Sequence, residues 1–284
     1  MLVTRHSPLA LGMLTKTQIR EILTGKGITR GDHLLIHSSL RSVGPIDGVA
    51  DALIDALLEI TSTDGTVAMP AFNYTYPLPD PYFDPQTTAS RAGALTEIFR
   101  RRSGTLRSLH PTHSVIAQGR RAADFLAGHD RGLTFGSDSP VGRIAQAGGY
   151  VLLIGVTHLA NSTIHVGESY AGVKKFAWKD GLAPVAKMLM PDGSIVERAL
   201  DSSPSCSMAF NAVEYPMRRA AMIIDLGLGD ALCFLMKGMD VIQTTMKLIG
   251  ERPNILFCNR KECRPCRLGR EYLRTAPGFP RSRE

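Results

Sequence analysis

The chain of 284 residues is poor in aromatic side chains, which make up 6% of it, and it holds a single tryptophan. Its basic residues are not interleaved with aromatics in any recognition motif. The formal charge of +7 therefore attracts anions in general without pointing to nucleic acid, and a phosphorylated small molecule fits as well. No window approaches eighteen uninterrupted apolar residues, so no membrane-spanning helix is expected. The early apolar patch "PLALGML" is short, broken by Pro and Gly, and followed by no small-residue cleavage site, which argues against a secretory signal. Five cysteines are too few and too uneven for a secreted disulfide framework, and the expectation is a reducing cytoplasm. Internal repeats, a Walker loop and a G-x-G-x-x-G fingerprint are all missing.

What is present is an ordinary globular composition, 44% hydrophobic and 21% charged, with ample length for a hydrophobic core. Residues 33–37 form a short apolar run ending in a Ser-rich turn, which predicts a buried strand. "GVADALIDALLEITS" places Val49, Leu53, Leu57 and Leu58 at helical spacing. Further buried strands are expected in "GTVAMPAF", "HSVIAQG" and "GGYVLLIGV", and a helix with a basic end in "GALTEIFRRR". The long Pro/Tyr loop "NYTYPLPDPYFDPQ" exceeds a simple connector, and such loops often carry function. Strands alternating with helices predict an α/β fold with a largely parallel or mixed sheet flanked by helices. After residue 172 the pattern changes. "APVAKMLMPDGSIVERAL" reads as a β-hairpin around Pro-Asp-Gly, and helices are expected in "FNAVEYPMRRAAMI" and from "VIQTTMKLIG". We divide the chain into a core at 1–172, a smaller hairpin and helical part at 173–250 packed on the same core, and a basic, Cys-rich tail at 251–284. The last ten residues are expected to be disordered.

Four polar clusters fall at the ends of predicted strands, where α/β folds place their sites. They are "HSSLRSVG" (His37, Ser38, Ser39, Arg41), "RSLHPTHS" (Arg107, Ser108, His110, His113), "TFGSDSP" (Thr134, Gly136, Ser139) and "NSTIHVGE" (Asn161, Thr163, His165, Glu168). His165 and Glu168 stand three residues apart, so on a helix they share one face and meet. Such a pair is a catalytic dyad, half of a metal site, or two polar groups on a solvated face.

These clusters, in this order and spacing, resemble the aminoglycoside 3-N-acetyltransferase family. The matching segments are "LLIHSSLRSVG", "PAFNY", "RSLHPTHSVIAQG", "HDRGLTFGSDSP" and "VLLIGVTHLANSTIHVGE", and the resemblance runs from about residue 15 to about residue 250. It implies acetyl-CoA as donor, an aminoglycoside-like amine as acceptor, and the His of the last motif as base. An amine attacks a thioester only as the neutral base, and histidine, with an ordinary pKa of about 6.5, suits the proton's removal. Glu168 would orient His165 and steady the imidazolium, by the logic of the hydrolytic triads. By the same resemblance the cofactor contacts are His37, Ser38, Ser39, Leu40, Val43, Gly44, Arg107, Ser108, His110 and His113, within the 1–172 core. Tyr74, Asp138 and Glu214 are the expected acceptor contacts, with the 173–250 part on the acceptor side. Direct transfer in a ternary complex is expected, because no cysteine lies in a matched motif.

The tail departs from that pattern. Cys258, Cys263 and Cys266 form C-x4-C-x2-C, the start of a tetrahedral thiolate site for zinc. The fourth ligand would be Cys206, Cys233, a distant His or a second chain; the other reading is free thiols in a basic tail. The expected partners are an acyl-CoA and a small amine, with no nucleic acid and no membrane, and a homodimer is kept open. Rival functions are acylation of a biosynthetic amine and a non-catalytic scaffold that binds CoA and zinc.

Overall fold

The computed structural model describes residues 13–73, 82–173, 175, 183–201 and 205–275. The strands are β1 (His33–Ser38), β2 (Thr66–Pro70), β3 (Tyr82–Phe83), β4 (Leu106–Arg107), β5 (Val115–Gly119), β6 (Tyr150–Ile154), β7 (Val185–Leu189), β8 (Ile195–Ala199), β9 (Ile224–Leu228) and β10 (Ala231–Lys237). The helices are α1 (Lys16–Gly25), α2 (Leu40–Val43), α3 (Val49–Thr61), α4 (Ala94–Arg100), α5 (Ala122–Leu126), α6 (Pro140–Gln146), α7 (Thr163–Tyr170), α8 (Glu214–Arg219), α9 (Gly238–Glu251) and α10 (Arg264–Thr275).

Seven strands form one mixed sheet in the order β4-β5-β2-β1-β6-β10-β9. β2, β1 and β6 run parallel, and the outer pairings are antiparallel. Leu34 and Ile36 face one hydrophobic cluster with α1, α3 and α4, while Leu35 between them faces another with α5, α6, α7 and α9. That two-residue alternation with both faces covered explains why the central strands read as unbroken apolar runs. The expected mixed sheet flanked by helices is what the chain adopts. β7 and β8 turn at Pro191-Asp192-Gly193 as the hairpin signal implies, and with β3 they make a separate three-stranded sheet. β9 and β10, which lie inside the 173–250 stretch, instead extend the large sheet.

Local signals set several boundaries. Thr15 and Gln18 make a reciprocal capping box ahead of α1. Ser139 caps α6 by accepting from the Gly142 N–H, with Pro140 at the first helical position. The tail is helical as α10, which the basic composition did not announce. The expected disorder at the extreme end falls almost wholly on residues 276–284, outside the described residues.

Candidate active site

α7 starts where Asn161 Oδ1 accepts the Thr163 N–H at 3.1 Å. It lies close on α9 because residue 167 is glycine: a Cβ there would stand 2.6 Å from Thr245 Cβ. On this helix His165 Nδ1 lies 2.8 Å from Glu168 Oε2. An ionised carboxylate can only accept, so Nδ1–H donates to it, and in the neutral imidazole Nε2 is then the acceptor nitrogen. The imidazole stacks on Phe135, centroids 4.8 Å apart, and meets the edge of Phe210 at 4.6 Å. Ring orientation and tautomer are thus both constrained.

Glu168 has a second partner. Its Oε1 lies 2.5 Å from Lys175 Nζ, and both side chains are wholly buried. The ammonium also donates to the Cys206 carbonyl at 3.0 Å and stands over the rings of Phe210 and Phe257. A buried carboxylate needs a counter-charge to stay ionised, and Lys175 supplies it. The sequence reading missed this residue, because "GVKKFAWKD" looks like a solvated basic stretch and nothing local shows that one lysine turns inward.

His165 opens onto a cavity of about 290 Å³. The wall includes His37 and Ser38 from the end of β1, Phe72, His113, Asn161, Ser162, Asp201, Ser205 and Cys206. The C-terminal ends of β1, β2 and β6 feed this rim, as the switch-point rule for open sheets requires. Burial drives the pKa of His37 and of His113 down to about 3, so both are neutral and serve as hydrogen-bonding groups. His37 Nε2 lies 3.3 Å from Ser162 Oγ. His113 Nδ1 lies 2.7 Å from Thr112 Oγ1.

A buried polar chain holds the cavity's far wall. His110 Nδ1 accepts the N–H groups of Thr112 and His113, which puts its proton on Nε2, 2.9 Å from Thr134 Oγ1. Thr134 in turn donates its hydroxyl and its N–H to the two oxygens of Asp201 at 2.6 and 2.7 Å. Burial keeps the His110 pKa well below the ordinary value, with the neighbouring His129 and His113 adding to the effect. Asp201 on the cavity wall was not singled out from sequence; it follows a strand with no motif around it.

The predicted cofactor residues divide into two groups. His37, Ser38 and His113 line the cavity, whereas Arg107, Ser108 and His110 hold the loops around it. Arg107 donates to Ser114 Oγ and to the carbonyls of Ala71, Pro85 and Thr88, and burial lowers its pKa to about 10. Ser108 bonds His129 and accepts the Val115 N–H. In the 39–44 turn Ser39 and Ser42 bond each other, Leu40 packs on the core and Val43 is buried in it. Gly44 has φ 79° and approaches Asp230 so closely that a Cβ would lie 2.5 Å from its carboxylate, which fixes this turn against the β9–β10 connection. Asp138 is exposed beside Gly132 and Gly136. Glu214 pairs with Arg218 at 2.8 Å. Neither is part of the cavity wall, and Tyr74 lies outside the described residues.

Cys258, Cys263 and Cys266 come together, joined by Cys206, with all four sulfurs within 4.8 Å of one another. Cys233 stays apart in the main core.

A family model described as aminoglycoside 3-N-acetyltransferase matches residues 35–249, a span that takes in His165, Glu168, Lys175 and the whole cavity wall. The chain belongs to the aminoglycoside 3-N-acetyltransferase family. It is an enzyme of that acetyltransferase class. Aminoglycoside N(3)-acetyltransferase IV from Salmonella sp is 29% identical to it over 244 residues, covering 85% of this chain and 90% of the relative. A mutant of the aminoglycoside acetyltransferase AAC(3)-IVa in which a histidine is replaced by alanine, solved with gentamicin, is 27% identical with a TM-score of 0.80 and covers 93% of this chain and 99% of its own. AAC-IIIb, solved as a binary complex with CoASH, shares the fold with a TM-score of 0.72 at 23% identity, over 85% of this chain and 98% of its own. No helix among the described residues is long and apolar enough to cross a membrane.

Proposed function

We propose that the chain transfers the acetyl group of acetyl-CoA to an amine of an aminoglycoside or related amino compound, by direct attack with His165 as general base. The observation that carries this reading is the buried series Lys175–Glu168–His165, which ends on the cavity wall with His165 Nδ1 bonded to Glu168. The acceptor nitrogen attacks the thioester carbonyl carbon while its proton passes to His165 Nε2. The C–S bond then breaks, an amide remains, and the imidazolium returns the proton to the departing CoA sulfur. Glu168 stabilises the transient imidazolium, and Lys175 keeps Glu168 ionised.

The donor assignment draws on the family and on the CoASH held by AAC-IIIb. The donor enters against the 38–44 turn and the 107–113 segment, where Ser38, His37 and His113 present the polar atoms and Arg107, Ser108 and His110 hold the shape. For the acceptor, Asp201 and the Ser205 hydroxyl, which has no partner among the described residues, are the polar groups best placed to meet an ammonium or a sugar hydroxyl.

One observation favours a second acceptor. Among the described residues Asp201 is the single carboxylate on the cavity wall, and it is already bonded to Thr134. A polycation calls for more acids than this, so a biosynthetic amine of lower charge is the alternative. Thiol release from acetyl-CoA, measured against a panel of aminoglycosides and simple amines, separates the two. Turnover of deoxystreptamine compounds that disappears in His165→Ala supports the first reading. Turnover of simple amines alone supports the second, and unchanged turnover in His165→Ala removes the mechanism.

A further inference from the structure

Four sulfurs from three separate chain segments meet beneath the base relay. Cys206 Sγ and Cys258 Sγ are 3.7 Å apart, far beyond a disulfide bond. The edge of a tetrahedron of thiolates around zinc, with metal–sulfur bonds of about 2.3 Å, is about 3.8 Å. Four sulfurs within 4.8 Å of one another therefore need only a small contraction to close on a metal. Cys206 completes the C-x4-C-x2-C set that the sequence left open.

The surroundings are those of a ligand cluster. Cys263 immediately precedes the twelve-residue α10 and Cys266 lies in its first turn, the helix end whose positive dipole favours a thiolate ligand. The backbone N–H groups of Met208 and Cys266 interact with the sulfurs of Cys206 and Cys263. Arg270 ties down the Cys258 carbonyl at 2.6 Å, and Lys175 adds positive charge nearby. Cys206 itself holds φ 72°, a left-handed conformation that a non-glycine residue adopts at a cost and keeps where its surroundings impose it.

We propose that Cys206, Cys258, Cys263 and Cys266 bind a zinc ion as a tetrathiolate site, and that this site positions the catalytic relay through the Cys206 carbonyl. Four soft sulfur donors in a closed tetrahedron suit zinc and give a structural site with no open position, and iron or copper found in its place would overturn the zinc assignment. The ion joins α10 to the 205–210 wall of the cavity. The Cys206 carbonyl then fixes Lys175 Nζ, which fixes Glu168, which fixes His165.

The test begins with metal content. The full chain is isolated from zinc-replete cells under reductant, without chelators, and its metals are counted by mass spectrometry. About one zinc per chain is expected, and Cys206→Ser and Cys263→Ser should each lose it. Cobalt exchanged into the wild-type chain should show sulfur-to-metal charge transfer and the intense visible bands of tetrahedral thiolate coordination. Metal removal should lower kcat about ten- to a hundredfold while the affinity for acetyl-CoA holds. Metal-free wild-type protein with no cobalt spectrum overturns the site, and so do disulfides among these cysteines in chains alkylated at lysis. A metal whose removal leaves kcat unchanged overturns the positioning role. Because the ion is counted directly, failure here leaves the transfer reading intact, and failure of the transfer assay leaves the site intact.

Discussion

Lys175 and Glu168 form an ion pair, 2.5 Å from Nζ to Oε1, with neither side chain exposed to solvent. Removing one member of such a pair strands a charge in the interior, which costs about 3–5 kcal/mol. Lys175→Met should lower stability by about that amount in urea denaturation, while Lys175→Met with Glu168→Gln together should recover part of the loss. A single variant as stable as wild type would mean that the pair does not hold its charges in the folded protein.

Glu168→Gln keeps the shape of the side chain but replaces an obligatory acceptor with an amide. The amide either leaves His165 in the wrong tautomer or fails to steady its cation. The expected result is a fall in kcat of about 10²- to 10⁴-fold with little change in KM for acetyl-CoA. Equal losses in kcat and in acetyl-CoA affinity would point to collapse of the cavity instead.

Acid sensitivity follows from the buried histidines. Burial holds His37, His113 and His129 neutral, each with a pKa near 3, whereas in the unfolded chain the value is about 6.5. Between these limits the unfolded state binds more protons, so their contribution to stability is complete above pH 6.5 and is lost as pH falls toward 3. Each contributes a slope of up to about 1.4 kcal/mol per pH unit, so the three together contribute up to about 4 kcal/mol per pH unit. Set against a total of about 5–15 kcal/mol, this predicts a steep fall in the urea midpoint below pH 6.5 and unfolding before pH 4. A midpoint that stays flat from pH 7 to pH 5 would contradict it.

Gly167 lets α7 pack tightly on α9. In Gly167→Ala the new methyl would sit 2.6 Å from Thr245 Cβ and 3.1 Å from the Ile242 carbonyl oxygen, so the helices must part. A loss of about 1–3 kcal/mol is expected, together with reduced kcat, since His165 and Glu168 ride on the displaced helix. Thr245→Gly combined with it removes both the Cβ and the Cγ2 that the new methyl meets, and the pair of melting temperatures would measure the relief.

The polar clusters at the strand ends were legible because the chemistry is local: "NSTIHVGE" places its His and Glu one helical turn apart, and that spacing alone makes them touch. The β7–β8 hairpin was legible for the same reason, through its Pro-Asp-Gly turn. What stayed hidden depends on pairing across long sequence distances. β9 and β10 are joined to the sheet by pairing with β6 some 80 residues earlier. Lys175 joins the candidate site only because it is buried against Glu168, and Asp201 only because Thr134 reaches it across 67 residues. Arg107 and Ser108 match the family motif, yet their side chains turn into the loop network and away from the cavity. A motif reports which residues cluster, but which way each one faces is settled by packing.

The family-matched span ends at residue 249; three of the four clustered cysteines lie after it, and the fourth and Lys175 lie within it. The lysine and the cysteines are thus one unit written in two places. A descendant that sheds the tail loses the anchor of its own lysine, and one that replaces the lysine no longer needs the tail. If the cluster anchors the lysine, the five positions should be gained and lost together across lineages, and the last thirty residues would then record that history.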